Sequence, residues 1–265
     1  MMQFISFTSG SCGNCSLLKT QDGGIMIDAG ASPGRVSKAL GSAGMSLSDI
    51  GGILITHDHL DHIRSLAGFC KKIHVPVWTT SVLHEALMHH SFTADLPADC
   101  RRVLVPEVWN DIGNGFSVRW FEVPHDATQT VGYAIRAEGR LFVLMTDLGE
   151  VPEEAFALAK EADTVVIESN YDVGMLLGGG YPFELKMRIC KGYGHLSNDA
   201  CAEAVRRIWH DGLRNLFLCH LSGNNNTPRL ALSSTEEALR GLGVDPATIN
   251  FRILPRSAAT PLMNL

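Results

Sequence analysis

Residues 53–63, ILITHDHLDHI, place three histidines and two aspartates directly after a short apolar run. His57, His59, Asp61 and His62 lie within six positions of one another. Imidazole nitrogens bind zinc and other first-row metals, and carboxylates add negative charge and can bridge two ions. Burying such a cluster without a cation would be costly. The segment therefore predicts a metal site.

The spacing within this cluster predicts two ions. His57 and His59 follow the predicted strand two positions apart and can reach one ion, whereas Asp61 and His62 begin the next helix and can reach another. Two divalent ions about 3.5–4 Å apart activate water at neutral pH and stabilise charge on the attacked group. We therefore expect two divalent ions as cofactors, with zinc preferred over manganese.

Five separate apolar strands end on a histidine or an aspartate. Ligand sites of α/β sheets lie at the carboxyl ends of strands, where a rigid support presents side chains to the loops. We predict that His125 completes the first ligand set, that His220 completes the second and that Asp147 lies between them. The five strand-end residues are Asp28, His57, His125, Asp147 and His220.

Apolar β-branched runs alternate with amphipathic stretches of helical length, and the early and middle strands are joined as hairpins. This pattern predicts mixed sheets with helices on their outer faces. No linker rich in Pro or Ser divides the chain, so we expect one domain over residues 1–265. Predicted strands are 3–7, 24–28, 51–56, 116–123, 131–137, 140–146, 163–169 and 215–220; predicted helices are 34–43, 63–73, 80–90, 152–162, 183–190, 198–211 and 229–241.

Composition narrows the class of protein. The 265 residues are 45% hydrophobic and 19% charged, with a formal net charge of -6, which is ordinary globular material. The first residues lack the basic and apolar regions of a signal peptide, and no apolar run could span a bilayer, so we expect a cytoplasmic protein without a membrane partner.

Seven irregularly spaced cysteines do not indicate a disulfide framework, and we interpret Cys12 and Cys15 as small loop residues. The net charge neither supports nor excludes a polyanionic substrate, because bound cations would change the local sign.

The stretch THDHLDH resembles the HxHxDH signature of the metallo-β-lactamase superfamily, and His125, Asp147 and His220 follow in the order of that superfamily. The resemblance implies a four-layer αββα sandwich, in which two mixed β-sheets lie face to face with helices outside and the metals at one edge. It also implies that Asp28 supports the metal-binding histidines. We assign catalytic roles to Asp28, to Asp61 in addition to its metal binding, and to His195.

Three further stretches resemble the YycJ/WalJ-type proteins of this superfamily, which are metal-dependent phosphodiesterases with nuclease activity. They are FTSGSCGN (7–14), ESNYD…GGYPFELKMRI (168–189) followed by GHLSND (194–199), and HLSGNNNTP (220–228). GHLSND also resembles the His-Ser/Thr stretch of ribonuclease Z and related phosphodiesterases, which implies that His195 lies near the scissile phosphate. Ser197 is equally suited to cap the helix that follows, and a capped helix start also favours an anion. Candidate substrate contacts are Lys186, Arg188, Asn224 and Asn225, although a solvated helix face and a glycine-asparagine loop explain the same residues.

The predicted function is therefore a dinuclear metal-dependent hydrolase that cleaves phosphodiester bonds, with DNA, RNA or another phosphodiester as its partner. One alternative is a thioester hydrolase of the glyoxalase II type, which shares the HxHxDH cluster but would not be expected to carry GHLSND. The other is a non-catalytic binding or signalling module on the same fold. Such a module would be expected to have lost metal ligands, whereas all seven candidates are present here.

Overall fold

The computed structural model describes residues 1–265 and contains two seven-stranded β-sheets. The first sheet consists of β1 (Gln3–Gly10), β2 (Gly13–Thr20), β3 (Gly23–Ile27), β4 (Ile50–Leu54), β5 (Val77–Thr79), β6 (Arg101–Val103) and β14 (Met263–Asn264). The second consists of β7 (Asn110–Gly113), β8 (Phe116–Glu122), β9 (Val131–Ala137), β10 (Arg140–Met145), β11 (Thr164–Glu168), β12 (Asn215–Cys219) and β13 (Asn250–Ile253).

Each sheet is antiparallel in one half and parallel in the other. The first runs in the order β14-β1-β2-β3-β4-β5-β6, and its strands are parallel from β3 onward. The second runs in the order β13-β12-β11-β10-β9-β8-β7, and its strands are parallel from β10 to β13. Because parallel strands end at the same edge of a sheet, the carboxyl ends of β3 and β4 lie side by side, as do those of β10, β11 and β12.

The two sheets pack face to face through aromatic and branched side chains. Phe4 of the first sheet lies 5.4 Å from Phe142 and 5.7 Å from Phe217 of the second, measured between ring centroids. The buried Tyr133 hydroxyl donates a hydrogen bond of 2.5 Å to the Ile55 carbonyl across the same interface. These contacts form the central one of three apolar clusters, and strands buried on both faces explain their nearly continuous apolar sequences.

Helices cover both outer faces and complete the αββα sandwich that the sequence predicts. Helices α1, α3 and α4 pack on the first sheet, and α5, α8 and α9 pack on the second. The nine helices are α1 (Pro33–Ser42), α2 (Leu60–Ile63), α3 (Leu66–Ile73), α4 (Ser81–His89), α5 (Glu153–Ala159), α6 (Val173–Gly178), α7 (Phe183–Cys190), α8 (Asn198–Ile208) and α9 (Pro228–Gly241). None of them has the length and apolar character needed to cross a membrane.

Several boundaries differ from the predicted ones. The predicted helix over 63–73 begins later than expected, because the short α2 ends at Ile63 and α3 begins at Leu66 after a turn. Strand β2 was not predicted: GNCSLLKT mixes polar and small residues, yet both faces of this strand are largely buried. Cys12 lies in the turn before β2 as expected, but Cys15 is a buried strand residue and the loop interpretation was wrong for it.

Candidate metal centre

The strand ends bring their polar residues to one edge of the sandwich, where both sheets contribute. Asp28 directly follows β3, and His220 directly follows β12. Asp28, Asp147 and His220 adopt left-handed backbone conformations, with φ of 59°, 52° and 53°. Such conformations are uncommon outside glycine, although Asp and His adopt them more readily than most residues. They are retained where the surrounding structure fixes them, often at functional sites.

The seven candidate ligands lie together in the two sets that the spacing predicts. Atoms of His57, His59 and His125 lie within 4.8 Å of one another, and so do those of the second set. Asp147 lies between the two sets, because its carboxylate is within the same distance of His57 from the first set and of His62 from the second. The second set consists of Asp61, His62 and His220.

Each of these histidines has a hydrogen-bond partner at one ring nitrogen, and in His57, His125 and His220 this leaves the other nitrogen available. Metal-binding histidines commonly have this arrangement, because a hydrogen bond at the far nitrogen fixes the ring. The buried Nε2 atoms of His57, His125 and His220 have no hydrogen-bond partner. Buried polar atoms are rarely left unpaired, so a divalent cation with nitrogen and oxygen ligands fits this set. The contacts are His57 Nδ1 to Thr56 Oγ1 (3.0 Å), His59 Nε2 to the Asp126 carbonyl (3.3 Å), His62 Nδ1 to Asp28 Oδ2 (2.7 Å), His125 Nδ1 to the Gly194 carbonyl (2.9 Å) and His220 Nδ1 to Glu168 Oε1 (2.7 Å).

Burial and neighbouring carboxylates act on these histidines in opposite directions. Burial lowers the pKa of His57 and His125, which favours the neutral ring that can bind a metal. Burial opposes charge on His62 as well, yet Asp28 and Asp147 raise its pKa well above the usual value. The pKa of Asp147 is held well below its usual value despite burial, because His220 and His62 face it. A cation that binds through His62 must displace a proton from its ring, so uptake of the cation there releases a proton.

Glu168 is a site residue that the sequence analysis missed. It ends β11 and is fully buried. Its carboxylate accepts hydrogen bonds from His195 Nδ1 (2.9 Å), His220 Nδ1 (2.7 Å) and the Leu148 amide (3.1 Å). Burial opposes its ionisation, but His195 lowers its pKa to about 2. The available signal was DTVVIES, in which an apolar strand ends on a carboxylate, as the strands before Asp28 and Asp147 do.

Residues from the loop after β3 and from the start of β2 contact the histidine cluster and hold it in place. Asn14, also missed from the sequence, places its Nδ2 atom 3.0 Å from Asp61 Oδ2 and 2.8 Å from His62 Nε2. A Cβ atom at Gly30 would lie 1.7 Å from the Asp61 carbonyl oxygen, so only glycine permits this close approach. The Ala29 amide donates to the His62 carbonyl at 2.6 Å. These contacts fix α2, which carries Asp61 and His62.

A cavity of about 310 Å³ opens over the centre, and His195 lies in its wall. The sequence places His195 outside any strand end, and the structure shows it in the loop before α8. Glu168 holds its Nδ1 atom and raises its pKa to about 9, although burial opposes the charge. Ser197 caps α8, as predicted, because its hydroxyl accepts the Ala200 amide at 3.0 Å.

The four candidate substrate residues are placed differently from one another. Arg188 lines the cavity, where its guanidinium forms an ion pair with Asp126. Lys186 donates a hydrogen bond to the Leu177 carbonyl at 2.7 Å, and Asn224 donates one to the Tyr181 hydroxyl at 2.9 Å. Neither Lys186 nor Asn224 lines the cavity. Asn225 is buried behind the cavity, and its carbonyl accepts the Asp172 amide at 2.8 Å.

A sandwich of this kind, with histidines and carboxylates gathered at one edge, is the metallo-β-lactamase fold. The metallo-β-lactamase fold protein YhfI from Bacillus subtilis is similar to it with a TM-score of 0.70 over 98% of each chain, at 14% sequence identity. The family model described as "Beta-lactamase superfamily domain" matches residues 24–220.

Two sequence relatives narrow the family. The chain is 34% identical over 249 residues to "Exodeoxyribonuclease YycJ" of Bacillus anthracis, a match that covers 93% of each protein. It is 30% identical over 263 residues to "Exodeoxyribonuclease WalJ" of Streptococcus pneumoniae, covering 97% of this chain and 96% of that one. The chain therefore belongs to the metallo-β-lactamase superfamily and, within it, to the family of YycJ and WalJ, as the resemblance of its motifs predicted.

Replacing Glu168→Gln tests whether this buried carboxylate orients the ligand set. The variant keeps the shape of the side chain but removes the charge that faces His195 and His220. We expect the affinity for the ion held by His220 to fall by about 10–100-fold, as typically follows the loss of a supporting carboxylate. Competition with a chromophoric chelator measures this affinity. Glu161→Gln changes the same group on an exposed surface and serves as the control; equal affinities for both variants would contradict the orienting role.

Proposed function

We propose that this chain is a dinuclear metal-dependent phosphodiesterase that cleaves DNA. The observation that carries the proposal is the position of His195, whose ring lies in the wall of the same cavity as Asp147 and His220. The Nδ1 atom of His195 is held by a carboxylate, so its Nε2 atom is available to a substrate. The names of the two relatives, both exodeoxyribonucleases matched over nearly the whole chain, support DNA as the substrate.

The two ligand sets described above would hold the ions. His57, His59 and His125 would form one set, and the second would consist of Asp61, His62 and His220, with Asp147 between the sets. Bound there, two divalent ions would supply an activated water and neutralise charge on the attacked phosphate. We propose zinc because five of the seven candidates are histidines, and manganese is the alternative because two aspartates, Asp61 and Asp147, accompany them.

Side chains of the protein position the histidine rings and contact the substrate. Asp28 fixes the ring of His62, and Glu168 fixes the rings of His195 and His220. The Nε2–H group of His195 would donate to a phosphate oxygen, an interaction that strengthens as charge moves onto the leaving oxygen. Asp61, at the start of α2, and Arg188 both line the cavity.

The cavity favours this reaction over thioester hydrolysis. Only three of its fifteen lining residues are hydrophobic, which suits a charged phosphodiester better than an acyl thioester. A non-catalytic module would have no use for seven ligand candidates that are held in place by separate hydrogen bonds. We therefore assign neither alternative to the chain.

Elemental analysis of the purified protein tests the number of ions. We expect two ions per chain, and we expect Asp147→Ala to lower this number because Asp147 contributes to both sets. Asp95→Ala, which removes an exposed aspartate from a distant surface, should retain two ions. A single ion that Asp147→Ala does not affect would contradict the dinuclear assignment.

The reaction itself is tested by incubating the protein, with zinc and separately with manganese, against end-labelled single- and double-stranded DNA and RNA. We expect progressive shortening of DNA, and we expect turnover of a chromogenic phosphodiester to exceed that of a lactoyl thioester. Product ladders and initial rates provide the measurement. Faster cleavage of the thioester would assign the chain to the other reaction.

His195→Ala separates catalysis from metal binding. Because His195 is in neither ligand set, the variant should keep both ions while turnover falls by about 10²–10⁴-fold, the usual cost of removing a proton-transferring or hydrogen-bonding group. The KM should change less than kcat, since the interaction strengthens in the transition state. His89→Ala, on an exposed helix surface, is the matched control. Near-normal turnover of the His195 variant would show that the residue is structural.

A further inference from the structure

Helix α7 (Phe183–Cys190) forms one side of the cavity but buries none of its residues fully. Leu185, Arg188 and Ile189 on its inner face line the cavity. A helix of eight residues normally owes its stability to an apolar face packed against the protein. Here the outer face remains open to solvent directly beside the proposed phosphodiester site, so a further ligand can contact both.

The two most exposed aromatic side chains of the protein stand at the two ends of this helix. Phe183 is 70% exposed at its first residue, and Tyr193 is 69% exposed shortly after its last one. Helix α7 is about 12 Å long, at 1.5 Å per residue, so the two rings are too far apart to contact the same small group. Exposed aromatic rings beside a site indicate a ligand with flat apolar faces.

Positive charge is concentrated on the same segment. Between α6 and His195, the chain carries three basic residues and one acidic residue, although the whole protein has a formal net charge of -6. Arg188 is paired with Asp126. Lys186 contacts only a backbone carbonyl and Lys191 is exposed, so neither ammonium group is neutralised by a carboxylate. Basic groups interleaved with exposed rings fit a polyanion whose bases stack on the rings.

We infer that α7, with Phe183 and Tyr193 at its ends, binds single-stranded DNA as it leads into the cavity. Phe183 and Tyr193 stack on bases, and Lys186 and Lys191 contact the phosphates between them. This inference rests on the proposed function. Single strands are favoured over duplex because the base faces of a duplex are already stacked on one another and are closed to side-chain rings.

The end of α7 is tied to the metal-ligand candidates, so a strand held on the helix would be held in register with them. The Gly194 carbonyl accepts a hydrogen bond from His125 Nδ1, and the His195 amide donates to the Ile189 carbonyl at 3.1 Å. A Cβ atom at Gly194 would lie 2.1 Å from the Ile189 carbonyl oxygen, so glycine is required at this turn. The helix that holds the strand and the residues that face the phosphate therefore share one rigid connection.

The inference is tested by fluorescence anisotropy of the metal-loaded full chain with labelled oligonucleotides whose phosphorothioate linkages slow cleavage. Phe183→Ala should weaken single-strand affinity by about 5- to 100-fold, the cost of losing one stacked base. Phe183→Leu, which keeps an apolar side chain without a flat ring, should show the same loss, and Phe183→Trp should retain the wild-type affinity. Phe92→Ala removes an exposed phenylalanine that does not line the cavity, and this variant should bind as the wild type does.

Salt dependence distinguishes the two kinds of contact. Lys191→Gln should lower the slope of log affinity against log salt by about 0.7, the value for one phosphate of a single strand. Phe183→Ala should leave this slope unchanged, because stacking releases no counterions.

Four outcomes would overturn the inference. Wild-type affinity in Phe183→Leu would show that the ring does not stack, and equally tight duplex binding that is insensitive to Phe183 would exclude a single-strand site. If the protein cleaves DNA while the variants bind normally, this inference alone fails. If the wild-type protein neither binds nor cleaves any oligonucleotide, the proposed function fails with it, and the exposed surface of α7 belongs to a protein partner instead.

Discussion

Three almost fully buried carboxylates, those of Asp28, Asp147 and Glu168, constrain the rest of this structure. Each is at most 3% exposed, and a buried carboxylate is stable only when it is paired and hydrogen-bonded. All three face histidines, and each histidine is in turn fixed by one ring nitrogen. The negative charge holds the rings of His62, His195 and His220 in position, while the unpaired Nε2 atoms of His57, His125 and His220 provide the site for a cation. Removing either the acids or the histidines would leave the other group buried without a partner.

The two sheets explain how these groups can meet from distant parts of the chain. Asp28 and His57 lie at the ends of neighbouring parallel strands in the first sheet, and Asp147, Glu168 and His220 lie at the ends of three such strands in the second. Face-to-face packing brings the two edges together. Thr56 links Asp28 to His57, because its hydroxyl contacts both carboxylate oxygens of Asp28 and the ring of His57. The parallel half of each sheet therefore fixes the positions of these five side chains.

Much of the fold and most of the candidate site could be predicted from the sequence, because strand ends and the HxHxDH spacing are local patterns. The strands that carry Asp28, Asp147 and His220 are apolar runs with a clear end, and the sandwich followed from the family resemblance. What local patterns could not reveal depends on contacts between distant residues. Asn14 reaches Asp61 across 47 positions, and its strand lacks an apolar period. Glu168 was overlooked because an acid after a strand is common, and only its two histidine partners distinguish it. The placement of Lys186 and Asn225 outside the cavity likewise depends on how loops fold back.

The unequal anchoring of the segment that carries α7 has a consequence for how such enzymes can diversify. At its far end, Gly194 is locked against Ile189 and His125, and at its near end Asp172 caps α6 and pairs with the backbone of Asn225. Between these anchors, residues 177–184 are largely exposed and include three consecutive glycines. Exposed loop tips tolerate insertions because no buried backbone group loses its partner. This stretch can therefore grow or shrink without moving a ligand candidate, so a change of substrate can be acquired here independently of the chemistry.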